Sequence, residues 1–297
     1  MIGIEAFQWH NLCLAPQLHI LSSADHSPWK DAVSPIDNLA VRESGPWIDN
    51  KHKLLNYYGD LFANGMKYKW PVRVYYELFS GPGKCVIRDT NEEEDGSPLQ
   101  VLKYDFSRYI FTEMNVVLAK ALQTRLATHP KASLCEIWCG DCSEAIDHVS
   151  IDPNALTFSF IDPTGIGHAP FSLIEKLNKK TRVDLLINIQ HGMGIKMNMH
   201  QYRPDADEQS ALTRFLGNDG WKTLAADNPR AFFLGVLDLY KKQLATLGFS
   251  AGGREVLISN TRNTPLYLLL FASKSPRGQD FWDKSLKGVL PLELPLG

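Results

Sequence analysis

Glu77-Leu78-Phe79-Ser80-Gly81-Pro82-Gly83, ELFSGPG, ends an apolar run (VRVYYELF, 72–79) with an acid and then two glycines two positions apart. An apolar run that stops in this way reads as a buried strand turning into a ligand loop. Glycine lets the backbone turn sharply and lets a ligand approach with no Cβ in the way. Glu77, four positions before Gly81, can accept a hydrogen bond from a ligand amine. A dinucleotide loop requires G-x-G-x-x-G, and its third glycine position here is Val86. A phosphate loop requires G-x-x-x-x-G-K-[ST]; Gly83 and Lys84 match the G-K pair, but Leu78 and Cys85 occupy the flanking positions.

Outward from this loop, short apolar runs alternate with helical stretches. The runs are SRYIFTEM (107–114), SLCEIW (133–138), ALTFSFID (155–162), VDLLINI (183–189), REVLIS (254–259) and PLYLLLFA (265–272). Helical periodicity falls near 97–104, 114–128, 143–149, 170–180 and 231–247. This alternation predicts a doubly wound α/β domain with a mostly parallel, Rossmann-like sheet. The last two runs are joined only by NTRNT, too short for a parallel crossover, so they form an antiparallel hairpin that brings the sheet to seven strands. Upstream, WIDNKHKLLNYYGDLFA (47–63) carries the stripe Ile48, Leu54, Leu55, Tyr58, Leu61 and Phe62 of an amphipathic helix. The expected organisation is an N-terminal extension with that helix (1–70), whose first 44 or so residues are irregular, and an α/β domain (71–285) followed by a tail (286–297). A partly helical lid is expected at about 191–230, and NEEEDG (91–96) reads as a solvated acidic loop.

The chain has 297 residues, of which 44% are hydrophobic and 22% charged, as in a soluble globular protein. The formal net charge of −2 gives no global attraction to nucleic acid or anionic membrane and leaves only local basic patches for either. No apolar run approaches the roughly 18 residues of a membrane span. The first residues lack the pattern of a secretory signal, which predicts a cytoplasmic protein. Five cysteines, an odd number, argue for free thiols or a metal site over a disulfide framework. Three of them lie in CEIWCGDC (135–142) at C-x3-C-x2-C, a spacing that radical enzymes use for an iron–sulfur cluster. On an extended strand, however, Cys135 and Cys139 stand about 13 Å apart, too far for one compact cluster.

Acidic residues follow successive strands. Glu113 ends the second, where a carboxylate can accept from ribose hydroxyls, and Asp141 follows the third in a Gly-Asp pair. After the fourth comes FIDPTG, with Asp162 and Pro163 at the ligand-binding edge of the sheet. Enzymes that methylate amino groups in nucleic acid read Asp/Asn-Pro-Pro-Tyr/Phe here, with an aromatic that stacks the base; this chain has Thr164 and Gly165. The cysteine-after-proline nucleophile of C5-cytosine methylation is also missing. His168, His191 and His200 show no metal-ligand spacing.

The order ESGPWIDNKHKLLNYY (43–58), VYYELFSGPG, GSPLQVL (96–102), YIFTEMN, CGDC, FIDPTG, VDLLINI, FLGNDGW (215–221) and PLYLLLFASKS resembles the three-Cys-motif partner (TcmP) family. The resemblance implies a class I methyltransferase-like fold that uses S-adenosylmethionine (SAM), in a bacterial protein working beside a three-cysteine-motif, radical-SAM-like partner. It names no methyl acceptor. The loop form acidic-x-F-x-G-x-G is likewise that of SAM methyltransferases. On this reading the cofactor lies against Glu77, Phe79, Gly81, Pro82 and Gly83, with Glu113 and Met114 at the ribose and Asp141 and Cys142 at the adenine. Asp162 and Pro163 are the expected catalytic pair, and Lys51, Thr164 and His191 face the acceptor. The alternative is a SAM- or nucleotide-binding module that scaffolds or regulates the partner without catalysis.

Overall fold

A computed structural model describes residues 15–26, 32–190, 210–225, 228–251 and 255–290. Strand β1 (Gln17–Ile20) and β2 (Arg42–Ser44) precede helix α1 (Ile48–Gly65). The chain continues through β3 (Arg73–Glu77), β4 (Lys84–Ile87), β5 (Glu93–Asp95) and a one-turn α2 (Ser97–Gln100). Next come β6 (Arg108–Glu113), α3 (Val116–Ala127), β7 (Cys135–Cys139), α4 (Cys142–His148), β8 (Leu156–Ile161), α5 (Phe171–Lys180) and β9 (Arg182–Gln190). Helices α6 (Ala211–Leu216) and α7 (Pro229–Thr246), strands β10 (Val256–Ser259) and β11 (Pro265–Ala272), and α8 (Pro276–Val289) follow.

The main sheet has the order β1-β7-β6-β3-β8-β9-β11-β10. Pairs are parallel from β1 to β9, and β11 runs antiparallel to both β9 and β10. The expected doubly wound sheet with its terminal hairpin is therefore present, with eight strands in place of seven. The addition is β1, which pairs with β7 from Gln17↔Glu136 to Ile20↔Cys139. The N-terminal segment thus supplies an edge strand where an irregular lead-in was expected. A second correction concerns 91–96: Glu93–Asp95 pairs with Lys84–Val86, and with β2 these form a small three-stranded sheet. A third is α8, which crosses the expected boundary at 286.

The central strands are buried on both faces, as helices on both sides of a parallel sheet require. On one face Tyr75, Phe111, Ile137 and Phe158 pack against α1, α3 and α8; on the other Val74, Tyr76, Ile110 and Leu185 meet α4 to α7. Leu212, Phe215, Leu216 and Trp221 are buried in the second layer, so these residues of the expected 191–230 lid pack on the core. Residues 191–209 lie outside the described set. Strand order reverses beside β3: the chain moves through β6 to β7, then returns to β8 and β9. That reversal opens a crevice at the carboxyl ends of β3 and β8, where α/β sheets bind ligands.

Arg125 of α3 ties the N-terminal segment to the glycine loop. Its guanidinium grips both Asp37 oxygens (2.8 and 3.0 Å) and donates to the carbonyls of Ala40 (2.8 Å) and Pro82 (2.7 Å). The Arg125 hydrogen bond, against the opposing effect of burial, holds the Asp37 carboxyl at about 2. A depressed carboxyl stabilises the fold above its unfolded value of 3.8, and that contribution fades as pH falls toward 2. Arg125→Met is expected to cost about 2–3 kcal/mol in urea unfolding at pH 7. The deficit should shrink as the pH is lowered through that window.

Candidate functional site

The loop after β3 takes the left-handed backbone that its glycines permit, with φ of +64° at Gly81 and +87° at Gly83. A Cβ on Gly83 would come within 2.8 Å of Leu122 Cδ1, so any other residue there would have to displace the Leu122 side chain as well as adopt a strained backbone. Phe79 to Gly83 form one wall of an open cleft of about 700 Å³. Glu113 and Met114 at the end of β6 and Asp141 and Cys142 after β7 continue that wall, and Asp162, Pro163 and Thr164 after β8 reach the same space.

Glu113 is 6% exposed, yet both its oxygens are used. One accepts from the Gly81 amide at 2.8 Å and the other from the Asn115 amide at 2.9 Å, with Arg42 at 3.9 Å. Burial raises its pKa, and Arg42 and the amides oppose that without cancelling it. Asp141 caps α4 by accepting from the amides of Ser143 (2.7 Å) and Glu144 (3.3 Å), so the helix start is anchored at the cleft. The Cys142 thiol points back to donate to the Leu78 carbonyl at 2.7 Å, which offers the cleft its carbon face.

Glu77 requires a correction. It is 1% exposed and lies behind the cleft wall, where its carboxylate accepts from Ser97 Oγ (2.5 Å) and Tyr75 OH (2.9 Å). The pleat turns Glu77 to the same face as Tyr75, and α2 brings Ser97 over it. The residue on the wall is Ser97, with Gly96 beside it. Burial pushes the Glu77 carboxyl up to about 8, helped by Asp162 and opposed by Ser97, Tyr75 and Lys51.

The floor is built by α1 and β9. Lys51 of α1 is 8% exposed and forms an ion pair with Asp162, while Asn188 of β9 donates to the other Asp162 oxygen. Burial alone would raise the Asp162 carboxyl, but Lys51 and Asn188 more than offset it and the net shift is downward. Asp162 is thus held ionised: a firm hydrogen-bond acceptor and a weak base. Lys51 also lies 5.5 Å from the Tyr267 ring centre, and neighbouring His52 is pushed down to about 3 by burial and by Lys51. Tyr267 OH and Asn188 Oδ1 are buried there without a hydrogen-bond partner. Thr164, in the expected aromatic position, is exposed and bonds His168 at 2.9 Å. His191 lies outside the described residues.

The sequence reading missed Arg42 at the start of β2, His52 of α1, Ser97 as the Glu77 partner, Asn188 of β9, Arg214 of α6 and Tyr267 of β11, all of which border the cleft. The lone amide in VDLLINI was the available signal for Asn188: a polar residue near the carboxyl end of a buried strand. Among the described residues, no group of three or more His, Cys, Asp or Glu side chains could hold a metal ion. The four described cysteines are buried and free, with Cys135 and Cys139 at opposite ends of β7. No helix among the described residues is long and apolar enough to cross a membrane.

No family model matches the chain, and no curated protein matches it. Solved structures that it resembles include the O-methyltransferase TomG of Streptomyces achromogenes in complex with SAM (16% identity, 80% of this chain and 83% of that chain, TM-score 0.45). An O-methyltransferase of Bacillus cereus in complex with SAH is also similar (13% identity, 80% and 85%, TM-score 0.46). So is the magnesium protoporphyrin IX methyltransferase of Synechocystis PCC 6803 with bound SAM (9% identity, 76% and 80%, TM-score 0.40).

A buried acid whose folded pKa is raised stabilises the fold fully below its unfolded value of 4.5 and loses that contribution as pH rises toward 8. Wild-type protein should therefore lose stability relative to Glu77→Gln between about pH 5 and about pH 9 in urea unfolding. Parallel pH profiles for the two proteins would contradict a buried, raised Glu77.

Proposed function

We propose that the cleft binds S-adenosylmethionine and that the chain transfers its methyl group. The observation that carries this reading is the joint placement of the glycine loop and Glu113: a carboxylate hydrogen-bonded to the loop it faces, at the point where strand order reverses. The residues fit a nucleoside with an amino-acid arm. Phe79, Gly81, Pro82 and Gly83 leave a backbone cradle for the arm, with Ser97 as the polar contact and Glu77 fixing Ser97 from behind. Glu113 retains unused lone pairs for ribose hydroxyls, since a carboxylate accepts about four hydrogen bonds. Met114 and the carbon face of Cys142 flank the place for adenine, and Asp141 lies at its edge.

When bound, the sulfonium supplies an activated methyl group, so the protein's task is positioning and exclusion of water. Asp162, kept ionised by Lys51 and Asn188, orients an acceptor by taking its hydrogen bond, with Pro163 holding the loop. Thr164 and His168 border the same space in place of an aromatic platform. On the order of its motifs we assign the chain to the TcmP family, acting in the bacterial cytoplasm beside a three-cysteine-motif protein. The ion pair between Lys51 and Asp162 favours a second reading: with its acid already engaged, the domain would bind SAM and regulate that partner without catalysis.

Calorimetry with SAM separates these readings. Glu113→Gln is expected to weaken binding about tenfold, and Asp162→Asn to leave it within about twofold while lowering formation of S-adenosylhomocysteine about tenfold or more. Unchanged affinity in Glu113→Gln would refute the pocket assignment. SAM binding without turnover in the presence of the partner would favour the regulatory module.

A further inference from the structure

A second cavity, of about 470 Å³, opens on the other edge of the sheet. Leu156 and Arg182 begin β8 and β9 there, at the opposite end of those strands from the cleft, and Lys274 and Ser275 follow β11. Its inner wall is apolar, with Met66, Leu156 and Val183 buried and the Trp70 ring alongside. Its rim carries four exposed cations, Lys69, Arg182, Lys274 and Arg277. Among the described residues, none of the four is ion-paired with a carboxylate.

Two of these heads are placed by rings. The Arg182 guanidinium lies 5.2 Å from the Trp70 ring centre and donates to the Pro153 carbonyl at 3.1 Å, and Lys274 Nζ lies 4.9 Å from the Phe249 ring centre. Asp184, the acid in the lining, is 3% exposed, and its oxygens accept from Tyr58 OH (2.8 Å) and Ser273 Oγ (2.5 Å). Those bonds commit it to the core, and it forms no ion pair with any of the four rim cations. In a chain of net charge −2, four like charges around one apolar opening repel each other, and a bound anion relieves that repulsion. An apolar hollow of this size with a few convergent polar groups is the usual form of a small-molecule site.

We propose that this cavity binds a small amphiphilic anion, its aromatic or aliphatic body in the hollow and a carboxylate or phosphate on the rim. The site is separate from the cleft and does not depend on the methyl-transfer reading. The bland alternative is a solvated basic rim over a chance hollow, which would hold no ligand in a fixed stoichiometry.

8-Anilinonaphthalene-1-sulfonate, an aromatic body with one anionic group, is a suitable probe in a fluorescence titration of the full chain. The expected result is one saturable site whose affinity falls as salt rises from about 0.1 to about 1 M. Affinity should also fall about tenfold in the surface double variant Arg182→Ala/Lys274→Ala and in Lys69→Ala/Arg277→Ala. Displacement by phenyl phosphate or by decanoate, but not by S-adenosylhomocysteine, would support the proposal and show whether the preferred body is aromatic or aliphatic. Binding that does not saturate, or affinity unchanged in both double variants, would overturn it.

Discussion

The site depends on one buried hydrogen bond, from the Gly81 amide to the Glu113 carboxylate. A carboxylate at 6% exposure is costly unless its charge is met by donors, and here the amides of Gly81 and Asn115 and the nearby Arg42 meet it. The consequence runs both ways. The glycine loop supplies the donor that makes a buried acid tolerable, and the acid fixes the loop in the left-handed conformation that only glycine accepts cheaply. Arg125 holds the same loop from the other side through the Pro82 carbonyl, so the turn is set by two anchors from α3 and β6 rather than by its own sequence alone.

On the floor, the ion pair between Lys51 and Asp162 joins α1 to the loop after β8. Neither partner is well solvated, so removing one would leave the other as an uncompensated charge. The pair also sets the chemistry: it keeps Asp162 charged and weakens it as a base. This suits positioning an acceptor better than deprotonating one. It also explains why α1, which begins outside the parallel sheet, belongs to the site as well as to the core.

Much of the architecture was legible in the sequence because it follows from local pattern. The runs at 72–79, 107–114, 155–162 and 183–189 are strands buried on both faces, and their apolar continuity gives them away. The short connection at 260–264 correctly indicated a hairpin. What escaped was set by distant partners. QLHI alternates polar and apolar residues over only four positions, the shortest strand pattern, and becomes β1 because β7 offers it an edge. Helix α8 had a usable start signal, Ser275 before Pro276, but its face is defined by packing on α1. In the site, the acids after successive strands could be read from position, whereas the direction of Glu77 could not. Its turn toward Tyr75 and Ser97 is a product of the pleat and of α2 folding over it.

The central claim is that the loop from Phe79 to Gly83, Glu113 and Asp141 form one nucleoside-binding wall. Hydrogen–deuterium exchange of the full chain with and without S-adenosylhomocysteine tests it most directly. Slowed exchange at 79–83, 113–115 and 141–144 together, with 156–158 and 182–184 unchanged at the opposite edge of the sheet, is the predicted result. No protection at the three cleft segments at saturating ligand, or protection confined to the opposite edge, would contradict it.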